Sequence, residues 1–189
     1  MSRKIIMLAA ICLLLIVSAA LTLRSRSSEP AQPPGPDATD KLIAGYKQWT
    51  RVNPFPMKIS VRASLDCAIA SPPPGPHGEK YITVYVNEIG RPAMMEEKKP
   101  NFPQGSVIVK EKLTTPESTT PELLTVMLKR ERGYNPESGD WEYMVFDGTG
   151  ASVQERGKLE NCQSCHTLLK ETDYISRKYL PYDVESKFK

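Results

Sequence analysis

The sequence predicts an α+β domain, a mainly antiparallel β-sheet flanked by N- and C-terminal helices. Two observations carry that prediction. Four segments dense in β-branched and aromatic residues follow one another through short or turn-like links, the pattern of hairpin-connected strands. Ahead of them, apolar residues recur at the helical period. The chain has 189 residues, 40% hydrophobic and 25% charged, which suits one ordinary globular domain plus a leader and excludes a multidomain assembly.

The elements follow in order. Arg3 and Lys4 precede an uncharged run from Ile5 to Leu23, closed by Arg24. Nineteen residues exceed the usual core of a cleaved signal and approach the ~20 needed to span a bilayer. Residues 1–24 therefore read as a signal peptide or an N-terminal membrane anchor, and Ser18-Ala19-Ala20 offers a small-residue cleavage site. Either reading delivers the remainder to the periplasm or another extracytoplasmic space, because the positive n-region stays inside. Cys12 lies within the run, not at its end, so it does not mark lipid attachment. Residues 25–40, SRSSEPAQPPGPDATD, are a Pro/Ser-rich linker with almost nothing to bury. Residues 41–189 form the folded domain, large enough for one core.

Within that domain, Thr39 or Asp40 caps an expected helix along Leu42, Ile43, Tyr46, Trp49 and Val52, ended by Asn53-Pro54. After the loop SPPPGPHG, Tyr81 to Asn87 reads as a strand with Ile82, Val84 and Val86 on one face. Ser106 to Leu113 reads as a second, its alternation placing Ile108 and Lys110 on one face and Val107 and Val109 on the other. Leu123 to Lys129 and Trp141 to Phe146 make two more, joined by the polar connection RERGYNPESGD, and Asp147-Gly148-Thr149-Gly150 turns the chain.

The formal charge of +3 belongs to the leader. Arg3, Lys4, Arg24 and Arg26 all precede residue 27, and without them 21 basic residues face 22 acidic ones. A nucleic-acid partner is excluded on that balance, since its footprint needs a basic surplus on the folded part.

Cys162-Gln163-Ser164-Cys165-His166 has the spacing that attaches a c-type haem. Two thiols three positions apart reach the two vinyl groups of one haem, and the adjacent imidazole turns onto the iron. Two rivals remain open. A redox CxxC disulfide normally follows a strand and opens a helix, whereas this one lies late, after the sheet. A zinc site could draw on Cys67, His77, Cys162 and Cys165, at irregular spacing. The chain contains one CxxCH, hence one covalent haem per chain. For the sixth ligand, His77 sits in a Gly/Pro loop, and Met94, Met95, Met127 and Met144 are the available thioethers, with Met127 and Met144 read as strand core. An open iron that binds small molecules fits this inventory.

YKQWTRVNP, TVYVN, FPQGSVIVKEK, MLKRERG, GDWEYMVFD and CQSCH followed by TDY together resemble the cytochrome P-460 family, with GSVIVKE before a late CxxCH as the specific combination. The resemblance implies a homodimer with the haem against the sheet, Cys162 and Cys165 as thioether anchors and His166 as proximal ligand. It implies that Lys110, in VKE, bonds covalently to the haem macrocycle, a link that accompanies hydroxylamine oxidation. An acid and an arginine near the distal face in that family correspond, counted without gaps, to Thr125 and Ile82 here, neither of which replaces a carboxylate as general acid or base. Glu111 points to the opposite face. The resulting expectation is an exported mono-haem cytochrome that oxidises or detoxifies hydroxylamine and nitric oxide and passes electrons to another cytochrome. Its alternatives are a non-catalytic nitric oxide-binding or sensing protein, as in the related beta-type cytochromes c-prime, and a simple electron carrier. Cys67 reads as a buried small hydrophobe or an intermolecular disulfide partner.

Overall fold

The computed structural model describes residues 41–58 and 80–188. Every described residue belongs to one compact unit. The leader, the whole linker, Cys12, Cys67 and His77 lie outside the described residues. Among the described residues no helix is long and apolar enough to cross a membrane.

The fold is built on one antiparallel sheet of seven strands: β1 (Thr50–Arg51), β2 (Met57–Lys58), β3 (Tyr81–Val86), β4 (Val107–Leu113), β5 (Leu123–Lys129), β6 (Trp141–Asp147) and β7 (Val153–Gly157). The order is β1-β3-β4-β5-β6-β7, with β2 also pairing with β3. Sequential hairpins connect β3 through β7, as the short links require. Helices α1 (Arg91–Met95), α2 (Glu160–His166) and α3 (Tyr182–Glu185) are short, and 3-10 turns cover Pro136–Ser138, Thr167–Thr172 and Ser186–Phe188.

The four expected strands are present, and alternation sorts their side chains into two core layers. Ile82, Val84, Val86, Ile108, Met127, Trp141 and Tyr143 form the first layer with Ala93, Met94, Phe102, Ile175 and Leu180. Val107, Val109, Leu124, Val126, Met144 and Phe146 form the second, closed by Ile43 and Tyr46. Lys110 therefore faces the first layer and Glu111 the second, where the Tyr46 hydroxyl donates to its carboxylate at 2.7 Å. The central strands are buried on both faces, so their runs are more apolar than a half-exposed strand needs.

One element departs from expectation. The helix expected along Leu42 to Val52 is absent. Only Lys41 and Leu42 are helical among the described residues there, followed by a turn, a 3-10 turn at Tyr46–Gln48 and then β1. Gly45 explains the break: at φ +70 it is in the left-handed region and reverses the chain. Ile43 and Tyr46 still bury, but on the sheet rather than along one continuous helical stripe. The C-terminal helices are present.

The turn after β6 is fixed by its own chemistry. Asp147 Oδ1 accepts from the Thr149 amide at 3.1 Å, the Thr149 hydroxyl at 2.7 Å and the Ala151 amide at 3.1 Å. A Cβ at Gly148 would lie 1.9 Å from the Pro121 carbonyl oxygen, so only glycine fits.

Candidate haem site

Helix α2 is the motif itself, Glu160 through His166. Its middle residue ties it to the β5–β6 connection. Asn135 donates through Nδ2 to Gln163 Oε1 at 3.0 Å and to the Trp141 carbonyl at 3.0 Å, while Gln163 Nε2 donates to the Lys158 carbonyl at 3.0 Å. Cys162 and Cys165, three apart on a helix, project from neighbouring turns on one side. Neither is in a disulfide, both are half-buried, and Cys162 packs against the first core layer. Burial pushes the Cys162 thiol up, the Lys110 charge pulls it down, and Glu155 and Cys165 push it up again. The protonated thiol is therefore its resting form.

His166 has one ring nitrogen fixed by the backbone. Its Nδ1 lies 2.7 Å from the Tyr174 carbonyl oxygen. A carbonyl only accepts, so Nδ1 carries the proton and Nε2 keeps the lone pair that a metal uses. Burial pushes the imidazole down to about 4; the Tyr174 bond opposes this and the Lys110 charge adds to it. The ring is thus neutral at pH 7, the form that binds iron. The Tyr143 ring meets it edge-on, centroids 5.5 Å apart, with the Tyr143 hydroxyl 2.7 Å from Ser138 Oγ.

The Tyr174 carbonyl is aimed by two successive residues in the left-handed region, Asp173 at φ 51 and Tyr174 at φ 64. Such a pair costs free energy and persists only where contacts hold it. Asp173 supplies those contacts. Lys129 Nζ lies 2.7 Å from both its carboxylate oxygens, the Phe102 amide donates to Oδ2 at 2.8 Å, and Trp141 Nε1 donates to its carbonyl at 2.8 Å. The orientation of His166 is therefore set from the first core layer of the sheet.

Lys110 belongs to the same side. Strand register places it between Val84 and Thr125, and the row continues through Val145 to Glu155. Its Nζ sits 6.0 Å from the centre of the Tyr179 ring, and its charge reaches both Cys162 and His166. Two cysteines three apart on one helix, an adjacent neutral imidazole with Nδ1 engaged, and a lysine on the facing sheet fit a covalently attached haem. They also fit one family model, cytochrome P460, which matches residues 43–176. The chain belongs to the cytochrome P460 family. It is a haem cytochrome, and the matched segment contains Lys110, Cys162, Cys165 and His166. No curated protein matches the chain.

The two positions that the resemblance sets near the distal face are occupied by Ile82 and Thr125 in this cytochrome P460. Ile82 is fully buried in the first core layer, and Thr125 stands beside Lys110 across the β4–β5 pair. Glu111, as expected, faces the other layer. Met144 also belongs to that other layer, which removes it as an iron ligand, whereas Met94, Met95 and Met127 lie on the motif's side of the sheet. Sequence reasoning passed over Tyr179, Glu155 and the Asp173–Tyr174 turn. The TDY segment was visible only as part of a resemblance, because a backbone carbonyl acceptor leaves no side-chain signature. Glu155 carries a signal that could have been used: alternation along β7 puts it opposite Val145, on the Lys110 face.

Proposed function

We propose that this cytochrome is an exported mono-haem c-type protein that oxidises or detoxifies hydroxylamine and nitric oxide and delivers electrons to another cytochrome. The observation that carries the reading is the placement of Lys110 on the sheet face that packs against the Cys162–His166 helix. Cys162 and Cys165 would each add S–H across one vinyl group, the sulfur bonding one carbon and the hydrogen the other, with no net oxidation. His166 would hold the iron through Nε2, its Nδ1 keeping its proton and donating it in a hydrogen bond to the Tyr174 carbonyl. The bound haem supplies a one-electron centre with a coordination position for a small nitrogen oxide. Lys110 Nζ would join a macrocycle carbon, one N–H and one C–H bond giving way to an N–C bond, a two-electron oxidation whose two hydrogens a peroxide takes up as it is reduced to two waters. Residues 5–23 would direct export or anchor the domain at the membrane, and the protein would act as a homodimer.

A second reading has its own support. Ile82 and Thr125 offer no carboxylate to take protons from hydroxylamine, which favours nitric oxide binding without turnover. Steady-state hydroxylamine oxidation with a cytochrome acceptor separates the two. The proposal expects turnover by haem-loaded protein, lost in Lys110→Leu together with a shift of the reduced spectrum toward an ordinary c-type haem. Fully loaded protein that binds nitric oxide but does not turn over hydroxylamine contradicts the first reading and supports the second.

A further inference from the structure

Arg177 carries two buried nitrogens, Nε and Nη2, with no hydrogen-bond partner. They are the only such side-chain atoms among the described residues. Its third nitrogen, Nη1, donates to the Glu97 carbonyl at 2.7 Å, and the guanidinium carbon lies 4.0 Å from the centre of the Phe188 ring. Burial disfavours the charge and Glu97 partly restores it. Two unmade charge-assisted bonds shut off from water are costly to leave in place. They therefore point to a missing acceptor.

The geometry specifies that acceptor. Nε and Nη2 share one edge of the planar guanidinium, the side-on fork whose two parallel N–H bonds match a carboxylate. The location specifies what carries it. Arg177 lies three residues after Tyr174, whose carbonyl orients His166, and two before Tyr179, whose ring meets Lys110. One short segment thus touches the proximal and lysine ends of the site with Arg177 between them. Position 177 also falls just beyond the matched family segment, which says nothing of it.

We propose that the Nε–Nη2 edge of Arg177 binds a haem propionate. The proposal rests on the haem reading above and adds the residue that fixes the carboxylate edge of the ring. Part of the cover over the guanidinium is Phe188 of the Ser186–Phe188 turn, whose residues are exposed or only half-buried.

The test is a redox titration of haem-loaded protein against pH, comparing wild type, Arg177→Gln and Arg177→Lys at equal covalent haem content. A propionate released from its cation in a partly buried setting titrates between about pH 5 and 8. Arg177→Gln should therefore lower the reduction potential and introduce a pH inflection in that range that wild type lacks. Arg177→Lys, which keeps the charge but not the fork, should fall between. A purely structural arginine changes stability without adding a titration. If Arg177→Gln does not mature, Arg177→Lys decides alone. Profiles that superimpose on wild type overturn this proposal and leave the haem reading intact, whereas wild-type protein without covalent haem overturns both.

Discussion

Gly139 sits at φ +62, and a Cβ there would come within 2.4 Å of the Tyr174 ring. Any side chain must push that ring aside, and with it the residue whose carbonyl holds His166 Nδ1. Gly139→Ala is expected to cost about 2 kcal/mol, from the left-handed backbone and the displaced ring together. It should also disturb the axial ligation of the haem although position 139 does not touch His166. Thermal unfolding and the absorption spectrum check both parts, and a variant as stable as wild type with an unaltered spectrum would refute the link. The site was unevenly legible at this scale. Cys162, Cys165 and His166 announce themselves by spacing, and Lys110 by alternation and resemblance. Tyr174 acts through its backbone, and the orphaned state of Arg177 depends on what packs around it, so neither has a sequence signal.

Strands β6 and β7 are fastened by a buried ion triad. Glu142 accepts from Arg130 Nη1 at 2.7 Å and from Arg156 Nε at 2.7 Å, with its side chain 3% exposed. Burial pushes its carboxyl up, but the hydrogen bonds and charges of the two arginines outweigh this and hold it below its usual 4.5. The unfolded chain therefore binds the proton more readily than the folded one. The triad's contribution is complete above about pH 4.5 and is lost as pH falls through the lower folded value. Urea midpoints measured across that range should fall for wild type and flatten for Glu142→Gln, which is less stable at neutral pH because buried Arg130 and half-buried Arg156 each lose the Glu142 charge. Parallel slopes in the two proteins would contradict this. Element by element, β3 to β6 were legible because β-branched and aromatic residues fill them. β1 and β2 are two residues each, too short for a pattern, and β7, VQERG, is mostly polar. The expected N-terminal helix failed at Gly45, since a period of apolar residues also arises where a turning chain drops side chains onto a sheet.

Across the whole molecule, one sheet separates two core layers with different tasks. The second layer, with Tyr46 and Glu111 bonded within it, closes the back of the sheet. The first carries Lys110 and receives the C-terminal segment with its motif helix, His166 and Arg177. This asymmetry was legible in advance only as the alternation of Ile108 and Lys110 against Val107 and Val109; that the C-terminus folds back over one face is a tertiary fact no local pattern encodes. The most direct measurement is the oxidised and reduced absorption spectrum of protein expressed with c-type haem maturation, followed by a denaturing haem assay. Haem that stays with the denatured chain, and is lost when Cys162 and Cys165 are replaced by serine and Lys110 by leucine, together with a red-shifted, broadened reduced Soret band, is the predicted result. A denatured chain free of haem, or haem retained in that triple variant, would contradict the account.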